Sequence, residues 1–211
     1  MKGKIIPIAL GIFLCGVAVA ILAVFIRAKA RHDEPLREYR TVGNFQLTER
    51  SGRTISTADL HGKIVVVDFF FGACSAQCQV LSQHMAEVQR LTDGMNDVLL
   101  VSITVDPRAD TPEALTRYAT RFNASTNRWL FLTGDKKLIY PLIQESFLQP
   151  VAQADAPPDP FGGGFIHSEK IALVDRRGTV RAYYEGMEST VAAKILRGIQ
   201  QLRNESALNE N

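Results

Sequence analysis

Phe69-Phe70-Phe71-Gly72-Ala73-Cys74-Ser75-Ala76-Gln77-Cys78 is the stretch on which the reading of this chain turns. It closes an apolar run that begins at Ile64. Beyond it, Val80, Leu81, Met85, Val88 and Leu91 recur on one face at a period near ~3.6 residues, which predicts a helix from about Cys78 to Leu91. A buried strand therefore ends in a tight loop, and the loop opens a helix. Two thiols at i and i+4 stand where unpaired backbone N–H groups and the helix dipole favour thiolate over thiol. Thiolate is the form that attacks disulfides and binds soft metals.

Outward from this corner, Val98 to Val105 is apolar at nearly every position, as a buried parallel strand would be. It ends at Asp106-Pro107. Thr111 and Pro112 then mark the start of a helix reaching about Phe122. Trp129 to Leu132 predicts a short strand. Asp135 to Phe147 predicts a helix that Pro141 should kink or split. Leu148 to Gly164, with four prolines and Gly162-Gly163-Gly164, shows neither period and reads as a long loop. Upstream, Phe45 to Thr48 and Thr54 to Ser56 flank a glycine turn and predict a hairpin. Downstream, Ile171 to Val174 and Val180 to Tyr184 predict another. An amphipathic helix from Ser189 to about Leu202 and a frayed tail to Asn211 complete the chain. Parallel strands joined by helices and closed by an antiparallel hairpin imply a thioredoxin-like α/β fold: a mixed sheet with helices on both faces.

The N-terminus is different in kind. Ile5 to Ile26 holds 22 residues without a charge. As a helix this spans ~33 Å, against a hydrocarbon core of ~30 Å. An uncleaved membrane anchor through residues 5–26 is expected, with Cys15 as one of its apolar side chains. Residues 27–43 read as a charged, irregular tether. This gives an anchor and tether over residues 1–40 and a thioredoxin-like domain over 41–205. Residues 1–40 carry seven Lys/Arg and three Asp/Glu, and residues 41–211 carry seventeen and nineteen. The globular part is thus slightly acidic with no basic stripe, which argues against nucleic acid as a partner.

One close cysteine pair is too few for a disulfide scaffold, so Cys74 and Cys78 read as a redox or metal site. His167 lies 89 residues after Cys78, at the exit of the proline- and glycine-rich loop. If that loop folds back over the thiols, two thiolates and one imidazole suit copper and are acceptable to zinc. The competing reading of His167 is a packed or surface histidine. His32, His61 and His84 take that plainer reading, and Met85 and Met187 are expected in the core. Asp106 and Asp110 follow the carboxyl end of the second strand, where α/β sheets place their sites. They either touch the thiol loop or cap a helix.

Taken together, Phe69 to Cys78, Val101 to Leu115 (with Asp106-Pro107-Arg108-Ala109-Asp110-Thr111-Pro112), Leu132-Thr133-Gly134, His167-Ser168 and Leu173 to Gly178 resemble the Sco/SenC family. These are membrane-anchored, thioredoxin-like copper proteins. The resemblance covers residues 45–200. It implies one copper ion, Cu+ or Cu2+, held by Cys74, Cys78 and His167. It implies a metallochaperone that helps build the dinuclear copper centre of cytochrome c oxidase, with the copper-accepting oxidase subunit and a thiol reductant protein as partners. It also implies a domain on the extracytoplasmic face of a membrane, against the simple count of positive charges around the span. The alternative is a thiol–disulfide oxidoreductase using Cys74 and Cys78 as its redox-active pair. The chain departs from the family pattern at four positions. Ser75 and Gln79 replace the prolines that usually follow the cysteines, Gly72 replaces a threonine, and Ile166 replaces an acidic residue before the histidine.

Overall fold

The structure is a computed structural model that describes residues 16–17, 19–22, 35–74, 77–153 and 165–209; the side chains of 153, 165–167 and 207–209 lie outside that description. Contacts divide the chain into two compact units, Met1–Pro35 and Leu36–Asn211. In the first, residues 16–17 and 19–22 are helical and exposed. The rest of the expected span over residues 5–26, Cys15 included, lies outside the described residues. Among the described residues, no helix is long and apolar enough to cross a membrane.

The second unit is built on a seven-stranded mixed sheet. Its strands are β1 (Gln46–Glu49), β2 (Thr54–Ser56), β3 (Ile64–Phe70), β4 (Val98–Thr104), β5 (Trp129–Thr133), β8 (Lys170–Val174) and β9 (Val180–Glu185), in the order β2-β1-β5-β4-β3-β8-β9. β3, β4 and β5 are parallel neighbours, whereas β1 and β8 join them antiparallel. The helices are α1 (Thr57–Leu60), α2 (Gln77–Leu91), α3 (Pro112–Thr120), α4 (Lys136–Pro141) and α5 (Val191–Asn209). The expected thioredoxin-like arrangement is present.

β3 is buried along its whole length, and its successive side chains face opposite layers. Phe69 meets Phe147 edge-on at 5.2 Å between ring centroids. The next residue, Phe70, packs on Tyr118 of α3 at 4.8 Å. The segment around α4 therefore covers one face, and α2, α3 and α5 the other, with α2 and α5 in mutual contact. Pro141 ends α4 as its missing N–H requires, and the chain continues as a π turn over Leu142–Ser146.

Three expectations need correction. The stretch read as one long loop contains β6 (Val151–Gln153) and β7 (Phe165–His167), paired antiparallel as a separate two-stranded sheet. The last helix runs on to Asn209, because Glu205 accepts the Leu36 N–H at 3.0 Å and an Arg181 N–H at 2.8 Å. Residues 36–42, read as part of the tether, instead pack onto the domain, with 39–42 bonded to Gly178–Val180 at the entry to β9. Tyr39 N–H donates to Val180 O at 2.9 Å, Val180 N–H to Arg40 O at 2.8 Å and Val42 N–H to Gly178 O at 2.8 Å. The buried Arg181 guanidinium fixes this segment through the carbonyls of Leu36 and Arg37.

Candidate metal site

Cys74 and Cys78 sit at the carboxyl end of β3, where the chain turns into α2. Both are thiols. The Cys74 N–H closes a tight turn on Phe71 O at 3.2 Å. The Cys78 N–H donates to Cys74 Sγ at 3.4 Å, so one of the unpaired amides at the start of α2 points at sulfur. Cys74 is half-buried and Cys78 fully buried. Donating to the Cys74 sulfur, with burial adding to it, pushes the Cys78 thiol up, and the charge of Asp68 acts in the same sense. The expectation that both thiols are biased toward thiolate fails for Cys78. Its own first-turn position does not offset a buried setting beside another sulfur.

His167 lies in β7, opposite Val151. Its imidazole is outside the described residues. Its backbone position follows from the sheet: β8 starts three residues later, at Lys170, and runs antiparallel to β3 with Ala172 opposite Val67. The start of β8 is therefore at the same sheet edge as the end of β3 and the cysteine loop. Ser168, next to His167, is buried and donates its hydroxyl to Gln149 Oε1. Gln149 in turn donates to Phe147 O at 3.0 Å. The segment carrying His167 is thus pinned at its base. Among the described residues, no group of three or more His, Cys, Asp or Glu side chains is arranged to hold a metal.

The two aspartates separate. Asp106 organises its own turn, its carbonyl accepting the Asp110 N–H at 2.9 Å. Asp110 is buried and accepts the Gly72 N–H on both carboxylate oxygens, at 3.2 and 3.0 Å. Thr111, not either aspartate, caps α3. Met85 is in the core as expected, but Met187 is exposed. His84 reaches Gly186 O at 2.8 Å through Nδ1, and His61 is exposed. Two polar groups behind the cysteines escaped the sequence reading. Tyr118 Oη donates to Cys78 O at 3.4 Å and shares a hydrogen bond with Ser82 at 2.9 Å. Asp68 receives the Ser102 hydroxyl, and Ser102 accepts from Trp129 Nε1 at 2.8 Å. Asp68 carried a signal, being the single charge in the run from Ile64 to Phe71.

The sequence profile of the SCO1/SenC family matches residues 33–203. The chain belongs to the SCO1/SenC family. A Bacillus subtilis (strain 168) relative, described as a SCO1 protein homolog, is 28% identical over 158 residues, covering 74% of this chain and 79% of that protein. The crystal structure of a SCO1/SenC family lipoprotein from Bacillus anthracis superimposes with a TM-score of 0.71 at 31% identity, over 78% of this chain and 95% of that one. Bradyrhizobium japonicum ScoI, solved with copper bound, gives a TM-score of 0.63 at 26% identity, over 74% of this chain and 98% of that one. The sheet, the cysteine corner and the antiparallel hairpin of this SCO1/SenC chain fall within the matched stretch.

Proposed function

We propose that this chain is a copper metallochaperone. One copper ion is held by the Cys74 and Cys78 sulfurs and the His167 imidazole. It is passed by ligand exchange to the subunit of cytochrome c oxidase that receives the dinuclear copper centre. The observation that carries this reading is the 3.4 Å contact of Cys74 Sγ with the Cys78 N–H, at the sheet edge where the β7–β8 segment also ends. Two converging sulfurs and an imidazole form a donor set that suits Cu(I) and Cu(II). The copper-bound ScoI relative supports the choice of metal. Membrane attachment is in keeping with the lipoprotein relative, and the anchor proposed here is the apolar span over residues 5–26. The domain then faces the extracytoplasmic side, where a thiol reductant protein must keep the pair reduced.

Anaerobic titration of the full chain with Cu(I), and separately with Cu(II), tests this. Stoichiometric binding by the parent, lost in Cys74→Ser and Cys78→Ser, is expected. His167→Ala should lower Cu(II) affinity on the order of tenfold or more while leaving dithiol redox activity largely intact. Unchanged Cu(II) binding in His167→Ala would remove that residue from the site. A reporter fused to the C-terminus should be active outside the cytoplasm, and cytoplasmic activity would reverse the placement.

A second reading is supported by the asymmetry of the pair. Cys74 is half-buried and receives an N–H, whereas Cys78 is buried and held as a thiol. That is the division of labour of an attacking and a resolving cysteine in a thiol–disulfide oxidoreductase. In that case the reduced chain would reduce a disulfide peptide at useful rates and bind no copper.

A further inference from the structure

Building on the role assigned above to the cysteine loop, we propose that Asp110 is a positioning residue for it. Asp110 clamps the Gly72 N–H so that the Phe71–Cys74 turn presents the Cys74 sulfur to Cys78.

The clamp is specific in its geometry. Asp110 is 4% exposed, and both of its oxygens take the Gly72 N–H. The Thr104 hydroxyl also donates to Oδ2, while the same hydroxyl oxygen accepts the Asp106 N–H at 3.0 Å. The carboxylate is thus held from the β4 side and itself holds the loop. Gly72 lies inside the turn that Phe71 O and the Cys74 N–H close. A lost bond at Gly72 therefore passes directly into the placement of Cys74.

Asp110 is not needed to start α3. The start of α3 is capped by Thr111, whose side chain accepts the Ala114 N–H at 3.4 Å. Burial pushes the Asp110 carboxyl above the ordinary carboxylate range, so its ionised form is costly where it sits. Its carboxyl oxygens serve the Thr104 hydroxyl and the loop amide rather than the start of α3.

A Cβ added at Gly72 would lie 2.6 Å from Asp110 Oδ1. Any side chain there displaces the carboxylate.

The test is a double-substitution cycle on the full chain, reduced and metal-free, reading the alkylation rate of Cys74 at fixed pH. Asp110→Ala should raise that rate severalfold. Asp110→Asn, which keeps the shape and an acceptor for the Gly72 N–H, should stay close to the parent. Gly72→Ala should behave like Asp110→Ala, and the double variant should be no worse than either single. On Cu(II) loading, the copper–sulfur absorption band should shift in Asp110→Ala and Gly72→Ala, with affinity down on the order of tenfold. Unchanged Cys74 reactivity in Gly72→Ala, or strictly additive effects, would overturn the clamp. Should Asp110→Ala not fold, Gly72→Ala and Asp110→Asn still decide. Failure of the parent to bind copper would defeat the proposed function, whereas the metal-free rates would still judge Asp110.

Discussion

The Cys78 amide donates to the Cys74 sulfur at 3.4 Å, yet the two thiols occupy different environments, one half-buried and the other sealed. This inequality sets the first expectation. In the reduced, folded chain, iodoacetamide should label Cys74, and Cys78 should react only on unfolding. Peptide mass mapping after a timed reaction separates the two from Cys15. Equal labelling of Cys74 and Cys78 in the folded chain would contradict the asymmetry.

Gln149 anchors the segment carrying His167 through Ser168. Gln149→Ala should therefore speed amide exchange across residues 165–168 by about fivefold or more, with about 1 kcal/mol or more of local opening energy lost. The same variant should weaken Cu(II) binding if His167 is a ligand. Unaltered exchange in β7 would show that the Ser168 contact does not hold the strand.

Arg181 is a heavily engaged cation of the second unit. It is 6% exposed and pairs with Asp175 at 3.1 Å and Glu205 at 2.8 Å, besides holding two carbonyls of the entering chain. Arg181→Ala leaves Asp175 with Arg177 at 3.4 Å and Glu205 with the Leu36 N–H, but both lose their buried cation, and a loss of about 3 kcal/mol is expected. Arg181→Lys should recover only part, since an ammonium cannot reproduce the planar fork. Urea denaturation measures the loss, and faster tryptic cleavage at Arg37 and Arg40 would report release of residues 36–42.

Burial raises Tyr184 from its ordinary value to about 12. The unfolded chain ionises this phenol near ~10, so above that pH the unfolded state binds fewer protons and gains on the folded one. The stability tied to the neutral phenol is complete below the unfolded value and is lost as pH rises toward the folded one. Tyr184→Phe should flatten the alkaline fall in stability by up to about 2 kcal/mol. Parallel pH curves for the parent and the variant would contradict this.

The corner from Phe69 to Cys78 was legible because local signals agree there: an apolar run, a glycine, and a helical period starting at the second thiol. The parallel strands β3 and β4 were legible for the same reason. β6 and β7 were not. Each is three residues long, and their pairing joins positions separated by a proline- and glycine-rich stretch that carries no period. The extension of α5 was hidden because Glu205 is fixed by Leu36 and Arg181, partners remote in sequence. Asp110 was visible as a candidate but not as the partner of Gly72. That match depends on β4 and the cysteine loop ending side by side.

The segment at the entry to β9 has one more result. An open sheet exposes unsatisfied main-chain groups at its two borders, and such borders recruit strands from other molecules. Here one border strand, β9, already exchanges main-chain bonds at its first residue, Val180, with Tyr39 and Arg40. The other is β2, only three residues long. At these two borders the chain thus offers other copies less free backbone on which to polymerise.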